Sequence, residues 1–295
     1  MRVLITGAHG QIGQELLHSA PQSWQVHGLS SSELDITDAQ QVMATVQALQ
    51  PQLIINTAAY TAVDQAESNN QQAYAVNQYG AANLAKAAEV LDCPLLHLST
   101  DYVFSGEHTH PYTEQDTTAP CNIYGSSKWL GEQAVREFCT KHIILRMSWV
   151  FGLYGTNFVK TMLRLAQERD ALSIVSDQVG GPTSARSIAQ LLWQIAEQYR
   201  STGDCLWGTY HFSGAPACSW YDFAHEIFKQ AAELKLIQHS PALTPINSSD
   251  YPTPAKRPAY SVLDNSKIQQ QLNICPSDWK SELQLMLHSL KDAQQ

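Results

Sequence analysis

None of the six cysteines in this chain forms a C-x-x-C pair; they stand far apart at Cys93, Cys121, Cys139, Cys205, Cys218 and Cys275. That scatter suggests neither a zinc knuckle nor a disulfide framework, and plain core positions are expected for several of them. The eleven histidines include no H-E-x-x-H, the helical motif of many zinc proteases. Charge is also scarce. Only 15% of residues are Asp, Glu, Lys or Arg while 44% are hydrophobic, a balance that suits a packed core and argues against disorder. The net charge of -9 repels a polyphosphate backbone, so nucleic acid is not an expected partner. No apolar run reaches membrane-spanning length, and the short run at the N-terminus leads into glycines rather than a cleavage site. No membrane association is expected, and the chain reads as cytoplasmic.

What is present is a regular alternation. Val3–Thr6, Gln25–Leu29, Leu53–Asn56, Leu95–Ser99 and Ile143–Arg146 read as strands. Between them Gln11–Ser19, Ala39–Leu49, the Ala-rich Ala73–Leu91 and Ser126–Thr140 carry apolar residues at helical spacing. Strands alternating with helices specify βαβ units, hence an α/β protein with a Rossmann-type, doubly wound parallel sheet. After about residue 150 the alternation degrades. Asn157–Glu168, Ser187–Tyr199 and the tail from Ser277 read as helices, Leu172–Val175 as a short strand, and the Pro-rich stretch Pro241–Pro258 as a loop. The expectation is a dinucleotide-binding domain over 1–150 and a smaller α+β substrate-binding cap over 151–295. About 172–200 is expected to return and pack on the first domain.

Gly7-Ala8-His9-Gly10-Gln11-Ile12-Gly13 follows the first strand and opens the first helix. Glycines there allow a tight turn and let the backbone approach a pyrophosphate, whose charge meets the helix N-terminus. The spacing is G-x-x-G-x-x-G rather than G-x-G-x-x-G, but its place between strand and helix points to a dinucleotide. The second strand ends in Leu29-Ser30-Ser31-Ser32, with neither an acid to grip a ribose diol nor an Arg to meet a 2′-phosphate. The Ser30 hydroxyl suits a phosphate, so NADPH is favoured and NADH remains open. Asp35 and Ile36 are placed to border the adenine, although Asp35 equally suits a turn cap.

Tyr124-Gly125-Ser126-Ser127-Lys128 is Y-x-x-x-K, which sets phenol and ammonium on one helix face. A nearby cation favours an ionised phenol and brings it toward working range. Alone the pattern is common, and it equally describes a surface helix. It gains weight from Thr100, which follows the strand Leu95–Ser99 at the sheet's carboxyl edge, where ligands of such sheets bind. There its hydroxyl could hold a carbonyl oxygen beside Tyr124.

These features together resemble the short-chain dehydrogenase/reductase superfamily. Within its extended, nucleotide-sugar-modifying branch the chain is similar to the dTDP-4-dehydrorhamnose reductase family. The matching stretches are Thr61–Asp64, Ser99–Phe104, Asn122–Gly125 with Lys128, Arg146–Val150, Asn157-Phe158, Asp177-Gln178 and Tyr251–Pro258, which together span nearly the whole chain. The resemblance implies Thr100, Tyr124 and Lys128 as catalytic groups that reduce a 4-keto sugar linked to a nucleotide. It implies Gly7, Gly10, Gln11, Ile12 and Gly13 at the cofactor phosphates, with Asp35, Ile36, Ala58, Ala59, Tyr60 and Thr61 along the cofactor. Thr100, Asp101 and Trp149 are implied to touch the substrate, and Arg257 suits its diphosphate. Read without the resemblance, Trp149 is a core aromatic and Arg257 a surface charge. Some family members bind Mg²⁺ at a dimer interface through glutamates. Glu15 matches one of those, but Arg186 stands where another acid is expected, which disfavours a metal here. A monomer or a homodimer is expected. Other nucleotide-sugar reductases, epimerases or dehydratases of the superfamily, and a non-catalytic NADP-binding regulatory subunit, are the alternative readings.

Overall fold

The computed structural model describes residues 1–293. The five expected strands are present as β1 (Arg2–Thr6), β2 (Gln25–Leu29), β3 (Leu53–Asn56), β4 (Leu95–Thr100) and β5 (His142–Met147). A sixth, β6 (Gly208–His211), extends the sheet beyond β5. The spatial order is β6-β5-β4-β3-β1-β2, and every neighbouring pair is parallel. β3 and β4 are buried along their whole length because helices cover both faces of the sheet. Alternation along β1 shows the two layers: Val3 and Ile5 enter one apolar cluster, and Leu4 enters the other. The chain winds outward in opposite directions on either side of β1, so the carboxyl ends of β1 and β3 flank the crevice where such sheets bind ligands.

The Ala-rich helix is irregular where it passes the helix that carries Tyr124 and Lys128. Residues 70–90 run as Asn70–Tyr74, a π-helical turn Ala75–Gly80, and Ala81–Val90. A Cβ at Gly131 would collide with the Asn77 carbonyl oxygen, so the bulge and that glycine are mutually fitted. The helix expected from Ser126 begins earlier, at Ile123, and runs to Phe138.

The stretch 172–200 divides between the two halves. Ala171–Val175 pairs in parallel with Ala242–Ile246 in the cap, whereas the helix Ala185–Thr202 packs on the first helix, α1 (Gln11–His18), and leads into β6. The 241–258 loop expectation therefore fails over Ala242–Ile246. Pro245 disguises this strand, and it is tolerated because the sheet has only two strands and each strand is an edge. The helices Phe158–Glu168, Trp220–Glu233 and Trp279–Asp292 enclose the cap core around Phe151, Phe223 and Leu283. Among the described residues no helix is long and apolar enough to cross a membrane.

Candidate active site

Gly7 leaves β1 at φ 72°, and a Cβ there would lie 2.6 Å from the Ala58 amide nitrogen. A Cβ at Gly13 would collide with the Gly7 carbonyl oxygen. Gly10 differs, because its Cβ would meet only that same oxygen, at 3.2 Å, and its other side is open. Gly10 is also the N-cap of α1, and no side chain satisfies the first N–H groups of the helix. An uncapped helix start framed by tight glycines is a cradle for an anionic pyrophosphate, so these residues fit a dinucleotide. Gln11 is tied across to the cap: Asn157 Nδ2 donates to its Oε1 at 3.0 Å and to the Gly152 carbonyl at 2.7 Å. Ile12 packs against the core cluster beneath β1.

The end of β2 departs from the sequence reading. Ser30 is buried, and its hydroxyl and amide both donate to Glu33, at 2.7 and 2.9 Å. An acid therefore does reach the strand end, by folding back from three residues further on. The Asp35 carboxylate accepts from the Thr37 amide and hydroxyl at 2.9 and 2.8 Å, which is the turn role. Ile36 is buried against Gly80, where a Cβ would come within 2.6 Å of it.

The loop after β3 is held by a residue that sequence reasoning missed. Asn77, on the π turn and almost fully buried, accepts from the Tyr60 amide at 2.8 Å and donates to the Tyr60 carbonyl at 3.1 Å. Its amide also donates to Ser127 Oγ at 2.9 Å, joining the Ala58–Thr61 loop to the helix of Tyr124 and Lys128. A polar residue inside an Ala-rich apolar run was the available signal. Ala58 itself donates its N–H to Asn56 Oδ1 at 3.0 Å.

Thr100 is the last residue of β4, and Tyr124 lies in the first turn of the helix Ile123–Phe138. Asn122 caps that helix by accepting from the Gly125 amide at 2.7 Å, and its own amide donates to the Lys256 carbonyl at 2.8 Å. Burial pushes the Tyr124 hydroxyl up to about 12; the neighbouring Thr100 hydroxyl draws it down and the Asp101 charge pushes it up again. Thr100 in turn donates to Asp101 Oδ1 at 3.0 Å. Burial raises that carboxyl to about 6 against the lowering pull of the Ser261 and Thr100 hydroxyls, and its Oδ2 has no hydrogen-bond partner among the described residues. Lys128 does not do what the spacing alone suggests. Its Nζ donates to the Leu98 carbonyl at 2.6 Å, and burial lowers the ammonium to about 8 while Glu132 raises it. A buried ammonium has three donors to satisfy, and the strand carbonyl beneath it takes one of them.

A cleft of about 1050 Å³ opens between the C-terminal half and Asp64 of the first half, lined among others by Phe158, Met162, Gln178, Trp220, Tyr251 and Arg257. Arg257 donates to Asp64 Oδ2 at 2.8 Å, and its Nε is buried without a partner among the described residues. Trp149 stacks on Trp220 with ring centroids 3.6 Å apart and holds φ 47°. Trp220 lines the cleft, whereas Trp149 does not. Thr100 and Tyr124 lie outside that lining. Tyr102 bridges the two regions, with its ring edge-on to Tyr124 at 5.5 Å and its hydroxyl in the field of Arg257 and Asp64.

Glu15 faces a separate hollow of about 160 Å³ with Ser184, Arg186 and Glu282. Glu282 accepts from the Ser184 hydroxyl at 3.0 Å, and the Arg186 cation draws the Glu15 carboxyl down against the burial that raises it. A guanidinium beside these two acids already supplies the positive charge, so the donor set does not suit Mg²⁺.

The family model described as RmlD substrate binding domain matches residues 1–292. A dTDP-4-dehydrorhamnose reductase of Aggregatibacter actinomycetemcomitans is 49% identical, covering 96% of this chain and 97% of its own length. The crystal structure of a dTDP-4-dehydrorhamnose reductase from Clostridium acetobutylicum superposes with a TM-score of 0.92 at 37% identity, covering 99% of this chain and all of that one. One from Bacillus anthracis, solved in complex with NADP, superposes with a TM-score of 0.90 at 38% identity, covering 98% of this chain and 99% of that one.

Proposed function

The chain belongs to the family of dTDP-4-dehydrorhamnose reductases, and we propose that it reduces the 4-keto group of dTDP-4-dehydro-6-deoxy-L-mannose, giving dTDP-L-rhamnose. A nicotinamide dinucleotide, of which NADP is the form held by the Bacillus anthracis relative, supplies the hydride when bound. The glycine cradle at Gly7, Gly10 and Gly13, with the N–H groups of Gln11 and Ile12, holds its pyrophosphate.

The observation that carries this reading is that Thr100 ends β4 beside Tyr124 of the helix Ile123–Phe138, on the same carboxyl edge of the sheet as the cradle. Thr100 holds the keto oxygen and Tyr124 delivers a proton to it as the alcohol forms. Lys128, anchored on Leu98, places a positive charge beneath the catalytic helix and toward the nicotinamide ribose. Asp101 sets the direction of the Thr100 hydroxyl. Arg257 meets the substrate diphosphate once it releases Asp64, and the Trp149–Trp220 stack flanks the nucleotide or sugar. The protein works in the cytoplasm as a monomer or homodimer and needs no metal.

The test is a spectrophotometric assay of NADPH or NADH oxidation by the purified protein, with and without the dTDP-keto sugar. Oxidation that depends on the sugar is expected. A protein that binds the dinucleotide yet leaves it unoxidised with the keto sugar present would instead be a regulatory binding protein.

A further inference from the structure

Tyr124, Lys128 and Glu132 follow one another at four-residue intervals along the helix Ile123–Phe138, so they share the face turned to the sheet. Glu132 has no part in the hydride and proton steps proposed above, yet it is fully buried. Its Oε1 accepts from Ser99 Oγ at 2.6 Å and from Arg146 Nε at 2.8 Å. Its Oε2 accepts from Arg146 Nη2 at 2.7 Å and from Arg136 Nη2 at 2.8 Å. Against the burial that raises it, the Arg146 fork, the Arg136 charge and the Ser99 hydroxyl hold this carboxyl at about 2. It therefore exchanges no proton near neutral pH, and both its oxygens are fully engaged.

The partners of Glu132 lie at the end of the sheet that carries Thr100. Ser99 immediately precedes Thr100 on β4 and stands opposite Arg146 on β5, one rung before Thr100 meets Met147. The Arg146 guanidinium also lies over the Phe104 ring, 5.0 Å from its centroid, and so supports the turn that leaves β4. One carboxylate thus joins the helix of Tyr124 and Lys128 to both strands beneath it, next to Thr100. A buried ion pair is a weak source of stability, because desolvation offsets much of its attraction. A two-pronged carboxylate–guanidinium contact does, however, fix distance and angle. Placement matters at a reacting centre, where a shift of about 1 Å can cost about a hundredfold in rate. We propose that Glu132 is a positioning residue, which through Ser99 and Arg146 sets Tyr124 and Lys128 against Thr100. The proposal rests on the reading that these three groups reduce a keto sugar.

The experiment compares steady-state kinetics of the purified wild type and variants with NADPH and the dTDP-keto sugar, well below the melting temperature of each protein. Glu132→Gln keeps an acceptor for Ser99 and breaks the two-pronged contact with Arg146. It is expected to lower kcat by about tenfold to a hundredfold, while KM for the sugar and affinity for the dinucleotide stay within about twofold. A purely structural role would lower the melting temperature and leave kcat unchanged; that outcome overturns the proposal, as does a loss confined to KM. Should Glu132→Gln fail to fold, because a buried guanidinium is left short of its partner, Ser99→Ala decides. That variant leaves the ion pair intact and removes only the bond to β4. A kcat lowered by about fivefold with KM kept is expected, and an unchanged kcat overturns the proposal. A wild type that leaves the keto sugar unreduced overturns the reading of function, and the proposal with it.

Discussion

The Thr100 hydroxyl donates to the Asp101 carboxylate at 3.0 Å, and burial holds that carboxyl at about 6. While Asp101 is ionised, it competes with a substrate carbonyl for the Thr100 proton. Once protonated, it can donate to Thr100 and free that proton for the substrate. Turnover is thus expected to fall as pH rises through about 6, and Asp101→Asn, whose amide also donates, should flatten that limb. Stability follows the same sign. The folded carboxyl is raised above its unfolded value, so the native state binds the extra proton and loses stability as pH rises from about 4 to about 6. Melting curves across that window should show this slope in the wild type and lack it in Asp101→Asn.

Tyr124→Phe removes the proposed proton donor and leaves the glycine cradle intact. A fall in kcat of about a hundredfold to ten-thousandfold is expected, with dinucleotide affinity kept. Near-normal turnover would take the proton role away from Tyr124.

Lys128 carries a buried charge lowered to about 8 from its ordinary 10.5, so at pH 7 it weakens the fold. Lys128→Met should therefore raise the melting temperature at pH 7 while abolishing most turnover; removal of the buried charge is worth on the order of 3 kcal/mol before the lost Leu98 hydrogen bond is subtracted. Above about 8 the native wild type sheds its proton first, its penalty fades, and the gain of the variant should shrink. A gain that is constant from pH 7 to 10 would contradict the buried-charge account.

Two glycines of the cradle should respond differently to alanine. Gly13→Ala forces a collision with the Gly7 carbonyl and should lower the melting temperature together with cofactor affinity. Gly10→Ala meets only one atom, at 3.2 Å, so it should melt near the wild type while binding the dinucleotide poorly. Calorimetry and cofactor titration of both variants separate fold from site.

Arg257 reaches Asp64 from the cleft wall at 2.8 Å. Lys at this position keeps the charge and loses the planar fork, so Arg257→Lys should raise KM for the nucleotide sugar about tenfold and change kcat little. A drop confined to kcat would move Arg257 from diphosphate binding to another role.

Local signals in the sequence were sufficient for the β1–β5 strands, the glycine turn and the Tyr124–Lys128 helix. Apolar alternation, turn glycines and i, i+4 spacing act over a few residues, and no distant part of the chain is needed to read them. β6 was not legible, because Gly208–His211 is short and becomes a strand only by pairing with β5 some sixty residues earlier. Ala242–Ile246 was hidden by its own proline and is a strand only beside Ala171–Val175.

The site divides in the same way. The presence of Thr100, Tyr124, Lys128 and the glycines was determined by the sequence alone. Tertiary structure decided where their charges and hydrogen bonds go. It turned Lys128 onto Leu98, brought Glu33 back to Ser30, aimed Thr100 at Asp101 and put Trp220 rather than Trp149 on the cleft. Residue type determines which groups can donate, accept or ionise; burial and the nearest available partner, set by packing, determine which of those options is used.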